Sequence, residues 1–156
     1  MWSVRKVSVW LATAAGLGRV MIAPGTWGSL LGLGAGLLTL RIGSPVPLWL
    51  LLPVKFAVCA WLAGVAEREL DHHDPPSIII DEVWGMAVIP IAVPAIAASA
   101  WTLLAAFLLF RAFDIVKPPP LKMLATLPGG WGIMADDAGA AAYTILLALL
   151  WVRLTG

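Results

Sequence analysis

Apolar residues run along this chain in long stretches, broken by short connections rich in Pro, Gly and charge. From Ser3 to Ala15, Val4, Val7, Leu11 and Ala14 fall on one side of a helix and Arg5, Lys6 and Thr13 elsewhere, a pattern suited to lying along a membrane interface. Trp27 to Ile42 reads as a first apolar helix, short for a span and so tilted, thin or partly re-entrant. Within it Gly28, Gly32 and Gly36 recur at the small-xxx-small spacing that lets another helix approach closely. Val46 to Ala66, between Pro45 and Glu67, is the clearest span, with Pro53 a point where the helix would break. Val83 to Ser99 follows, kinked by Pro90 and Pro94, then Ala100 to Phe113, and finally Ala138 to Leu154, which opens on the small residues Gly139 to Ala142. The predicted fold is all-α: a polytopic membrane bundle of about five apolar helices with an N-terminal interfacial helix, in one domain over residues 1–156.

Composition agrees. Of 156 residues 61% are hydrophobic, and a mean hydropathy of +0.94 lies far from soluble usage. The single cysteine, Cys59, excludes an intrachain disulfide and reads as a small apolar packing residue. Arg5-Lys6 before an apolar stretch looks like a short signal peptide, but cleavage is not expected, because a motif begins at Gly16 with no spacer. If every apolar segment crosses, Arg5, Lys6, Arg19, Arg68, Arg111, Lys117 and Lys122 share one side with all the acids, and only Arg41 and Arg153 lie opposite. The positive-inside rule makes the charged side cytoplasmic. Lys55, inside a span, is either a functional group or a snorkelling side chain.

Candidate chemistry gathers in the connections and at the helix starts. Ala23-Pro-Gly-Thr-Trp-Gly-Ser29 reads as a turn feeding a helix start, with Thr26 or Ser29 as cap, and a helix start of this kind can cradle phosphate. Asp81-Glu82 opens one expected span and Asp136-Asp137, after a Gly-Gly-Trp-Gly turn, opens another. Arg111, Asp114 and Lys117 follow one another at a period of three and so share a helical face, and Pro118 to Pro120 stiffen the loop beyond. Capping needs one carboxylate; two acid pairs with Asp114, Arg111 and Lys117 between them suit Mg²⁺ and a phosphate. Glu67 to Asp74 reads as a solvated helix end and turn, and His72-His73 is a poor zinc signature without a third His or a Cys.

Together the blocks Gly16-Leu-Gly18, Ala23 to Ser29, Asp81-Glu-Val-Trp-Gly85, Arg111 to Pro118 and Gly129 to Asp137 resemble the phosphatidylglycerophosphatase A family, in order and over most of the chain. That resemblance implies a Mg²⁺-dependent, multi-pass enzyme of the bacterial inner membrane. It would dephosphorylate phosphatidylglycerophosphate to phosphatidylglycerol, its site facing the cytoplasm. The residues expected to carry this are Asp81, Glu82, Asp136 and Asp137 for the metal, with Asp114 also catalytic. Arg111, Lys117 and the Thr26, Trp27, Gly28, Ser29 helix start would bind the substrate phosphate. The partners expected are this lipid and the membrane, not nucleic acid, with a homo-oligomer left open. The rivals are a small ion or metal transporter, a phosphatidyltransferase, whose longer acidic motif is absent, and a structural subunit.

Overall fold

The computed structural model describes residues 3–43, 47–72 and 74–155. Pro45 and Val46, where the second span is expected to begin, and His73 of the histidine pair lie outside them. All regular structure among the described residues is helical. The helices are α1 (Val4–Ala12), α2 (Leu17–Val20), α3 (Pro24–Ile42), α4 (Leu48–Leu70) and α5 (Ile80–Ala92). A short 3-10 helix (Pro94–Ala98) then leads to α6 (Ala100–Val116), α7 (Leu121–Leu124) and α8 (Gly130–Thr155).

α1 is capped by Ser3, whose hydroxyl accepts from the Lys6 amide. Its apolar stripe is left outward, as an interfacial helix would have it. Ser8, Val9 and Ala12 are buried against α4, whereas Val4, Val7 and Leu11 stay exposed. Small side chains let two helices close together, so the bulky apolar stripe is left facing outward.

The glycine spacing in α3 is used as its pattern predicts. Gly28, Gly32 and Gly36 are buried and face α5: a Cβ on Gly32 would overlap the Val83 carbonyl, and one on Gly36 would lie 2.7 Å from Pro90. This is the most extensive helix pair in the fold, and it fixes the level of α5 against α3.

Three boundaries move. α4 continues through Pro53, so the helix does not break there, and Lys55 is exposed on its side. α5 stops at Ala92, because Val93 precedes a proline and adopts φ −130, ψ 76 outside the helical region. Its 13 residues reach only about 20 Å, short of a bilayer core of about 30 Å. α8 starts at Gly130, well before the expected Ala138, so Gly-Trp-Gly is helix and not turn. The reason is tertiary: a Cβ on Gly130 would overlap the Ala60 carbonyl, so the glycine lets the first turn of α8 rest on the α4 backbone, and that contact outweighs its poor helix propensity.

Among the described residues two helices, over Leu50–Leu70 and Gly130–Thr155, are long and apolar enough to cross a membrane. The expectation of five such spans is not met helix by helix, because α3 is diluted by glycine and hydroxyl residues and α5 and α6 are short. The two long helices fit a membrane protein: only 28% and 17% of their apolar windows are buried within the chain, leaving the rest for lipid. Phe110, Met86, Ile89, Leu121, Ala140 and Ala141 form the main core between α5, α6, α7 and α8.

Candidate active site

Where α3, α5, α6 and α8 meet, a cavity of ≈ 330 Å³ opens, lined by Ala23, Pro24 and Gly25 at the start of α3, by Asp74 to Pro76 and Ile78 of the loop before α5, and by charged side chains from the helices. Those side chains are Asp81 and Glu82 in the first turn of α5, Arg111 and Asp114 of α6, Lys117 just beyond it, and Asp136 and Asp137 of α8. The acid pairs, distant in sequence, thus converge.

Asp81, Glu82 and Asp137 each place a carboxylate oxygen within 4.8 Å of the others. Asp81 and Asp137 are 8% and 2% exposed. Asp81 Oδ1, Glu82 Oε2 and Asp137 Oδ2 are buried without a hydrogen-bond partner among the described residues, as is Asp136 Oδ1. Like charges this close, stripped of water, repel strongly. Burial, then the neighbouring Glu82 and Asp137, push the Asp81 carboxyl well above the usual carboxylate range. Burial raises Glu82 too, although the Arg111 charge pulls it back in part. Three hard carboxylate donors this close together, each with a buried oxygen lacking a partner, fit a divalent cation, which would supply one.

Arg111 occupies the other wall. Its Nη1 lies 2.6 Å from Asp114 Oδ2 and 3.8 Å from Glu82 Oε1, and donates to Ser29 Oγ at 3.4 Å. These contacts tie α3, α5 and α6 together, and a guanidinium has further donors in its fork. Gly25 permits the arrangement: a Cβ there would overlap Glu82 Oε1 and come within 3.0 Å of the guanidinium.

Lys117 and Asp136 depart from the expected division of labour. Lys117 sits past the end of α6 in left-handed conformation (φ 48), so the period of three ends at Asp114. Its Nζ pairs with Asp136 Oδ2. Burial pulls the lysine down, but the Asp136 hydrogen bond and charge outweigh that, and its pKa is raised. Asp136, expected as a metal ligand, is thus bound to Lys117 and stands outside the three-carboxylate cluster. Asp136 and Asp137 also lie in the second turn of α8, not at its start, so neither caps it.

The helix start of α3 is built differently from its reading in sequence. Its N-cap is Ala23, in left-handed conformation with no side-chain cap; Thr26 and Ser29 do not cap it. Ser29 is buried and donates to Gly25 O at 2.8 Å. Pro24 and Gly25 line the cavity, while Thr26, Trp27, Gly28 and Ser29 do not, and Trp27 is exposed on the outside. Asp74 lines the cavity as well, although in sequence it reads as part of a solvated turn; the signal available is an acid fixed by Pro75-Pro76 just upstream of Asp81.

A buried carboxylate cluster facing two cations, in a helical chain that fits a membrane, is the arrangement of an enzyme that handles phosphate beside lipid. Residues 10–152 match the family model of phosphatidylglycerophosphatase A. The phosphatidylglycerophosphatase A of Haemophilus influenzae is 36% identical over 139 residues, covering 88% of this chain and 83% of that protein. The Escherichia coli protein of the same name is 34% identical over 152 residues, covering 87% and 79%. A Bacteroides thetaiotaomicron protein, provisionally named a phosphatidylinositol-3-phosphatase, is 34% identical over 92% of this chain and 94% of its own length. No solved structure matches. The chain belongs to the phosphatidylglycerophosphatase A family and is a phosphatase.

Proposed function

We propose that the protein hydrolyses the terminal phosphomonoester of phosphatidylglycerophosphate, yielding phosphatidylglycerol and inorganic phosphate, with Mg²⁺ as cofactor. The observation that carries this reading is the convergence of Asp81, Glu82 and Asp137 opposite Arg111 in one cavity. Asp81, Glu82 and Asp137 would hold the Mg²⁺. When bound, the ion withdraws charge from the phosphoryl oxygens and favours attack at phosphorus.

The chain's own residues supply the rest. Arg111, aimed by Asp114, offers planar donors to two phosphoryl oxygens. Lys117, held in the cavity by Asp136, adds a point charge on the same group. The first turn of α3, at Pro24 and Gly25, brings the positive end of a helix to the cavity wall. In the net reaction the bond from phosphorus to the glycerol oxygen is replaced by one from phosphorus to a water oxygen, and a proton from that water ends on the glycerol oxygen. The lipid chains stay in the leaflet beside α4 and α8, whose apolar surfaces face outward.

The same reading places the protein in the bacterial inner membrane as a multi-pass bundle. Its cavity would face the cytoplasm, where the excess of Arg and Lys on that side would keep it. The Bacteroides relative's name makes phosphatidylinositol 3-phosphate the substrate to compare. Phosphate release from each lipid in mixed micelles, with Mg²⁺ or with EDTA, tests the proposal. Phosphatidylglycerophosphate should be cleaved faster, and only with Mg²⁺; faster cleavage of the inositol lipid would reassign the substrate.

A further inference from the structure

A second cavity, of ≈ 400 Å³, lies apart from the carboxylates and is lined by Lys6, Trp10, Thr13 and Arg19 together with Glu69 of α4. Its shape comes from an abrupt turn. Ala14 and Ala15 hold φ 46 and 60 and Gly16 holds φ 90, and the buried Thr13 hydroxyl accepts from the Gly16 amide at 3.1 Å while donating to Val9 O at 2.8 Å. Two successive alanines in the left-handed region are costly and persist only when the surroundings fix them. The turn folds α2 back, so that Arg19 lines the same cavity as Lys6.

The charges here do not cancel. Glu69 is engaged by Arg5 at 3.7 Å, and Lys6 and Arg19 have no carboxylate partner among the described residues. The same lining carries the apolar side chains of Trp10, whose ring is exposed, and Leu70, and Val20 beside Arg19 is exposed too. A free anion in solution would call for the cations but not for this apolar rim. A phospholipid calls for both, since its headgroup meets cations while the start of its chains meets apolar side chains.

We infer that this elbow of α1 and α2 is a binding site for an anionic phospholipid, recognised through the net negative charge of its headgroup and separate from the hydrolytic cavity. The site is joined to the loop that lines that cavity. Ile79 N donates to Ala12 O at 2.9 Å, and Gly18 packs so closely on Ser77 that any Cβ would overlap its carbonyl. The inference holds whichever lipid the enzyme cleaves.

Native mass spectrometry of the purified protein, titrated in neutral detergent with phosphatidylglycerol or phosphatidylcholine, reads the site directly. The wild type should bind phosphatidylglycerol at a step that the Lys6→Gln/Arg19→Gln variant weakens by about 30-fold. Phosphatidylcholine should bind the two proteins alike. Lys6→Arg/Arg19→Lys, which keeps both charges, should restore the step. Millimolar inorganic phosphate should not displace the lipid. Hydrolysis in neutral micelles should be unchanged in the Gln variant, which also shows that it is folded. Equal phosphatidylglycerol binding in wild type and the Gln variant, displacement by phosphate, or loss of hydrolysis in neutral micelles would each overturn the assignment.

Discussion

Lys117, held left-handed just past the end of α6, pairs with Asp136 in the second turn of α8, while the adjacent Asp137 turns to Asp81 and Glu82. Neighbouring aspartates therefore have different partners: one pairs with a lysine in the cavity and the other lies in the carboxylate cluster. Asp136→Asn should weaken substrate use, raising KM and lowering kcat/KM about 10–100-fold, with the Mg²⁺ concentration for half-activation little changed. Steady-state kinetics across a Mg²⁺ series decide this. A shift in half-activation as large as that of Asp137→Asn would return Asp136 to the metal.

Asp81→Asn and Asp137→Asn should each lower kcat by about 10²-fold or more while the thermal midpoint holds or rises. Removing one of three repelling, buried carboxylates relieves strain in the metal-free protein. Circular dichroism melts in EDTA, alongside phosphate release with Mg²⁺, separate the two effects. Full activity in either variant would contradict its role.

Much of this is legible in the residues. The spacing of Gly28, Gly32 and Gly36 announces a close helix partner, and α5 is that partner. That the acid doublets meet is in keeping with their places, each beside the start of an expected apolar stretch. What is not legible depends on contacts between distant segments. The start of α8 is set by the Ala60 carbonyl beneath Gly130, and the pairing of Lys117 with Asp136 by where α6 ends. Neither has a local signature. Asp74 reads as solvated because its companions Glu67, Arg68, Glu69 and Asp71 are acidic or basic, yet it lines the cavity together with the proline pair after it.

The α3–α5 contact gives a stability test with an internal control. Gly32→Ala forces a methyl against the Val83 backbone, which cannot move aside as a side chain would. It should cost about 1–3 kcal/mol. Gly34, on the same helix, faces open space, and a methyl there would meet nothing within 4 Å. Gly34→Ala should be neutral or stabilising by up to about 1 kcal/mol. Unfolding in a mild detergent compares them, and equal effects would show that the glycine face is not a packing surface.

Gly25→Ala probes the cavity without touching the core. The added methyl displaces Glu82 Oε1 and crowds the Arg111 guanidinium, so kcat/KM should fall about tenfold or more, since misplaced catalytic groups are costly. The thermal midpoint should move little. An unchanged kcat/KM would mean that the pairing of Arg111 with Glu82 is not needed for turnover.

Divalent-ion binding to the purified protein, followed by the electron paramagnetic resonance of Mn²⁺ in place of Mg²⁺, tests the carboxylate cluster most directly. Wild type and Asp136→Asn should bind the ion, with Mg²⁺ competing, and Asp81→Asn and Asp137→Asn should not. Equal Mn²⁺ binding in all four proteins, or undiminished phosphate release by the wild type in EDTA, would contradict the account.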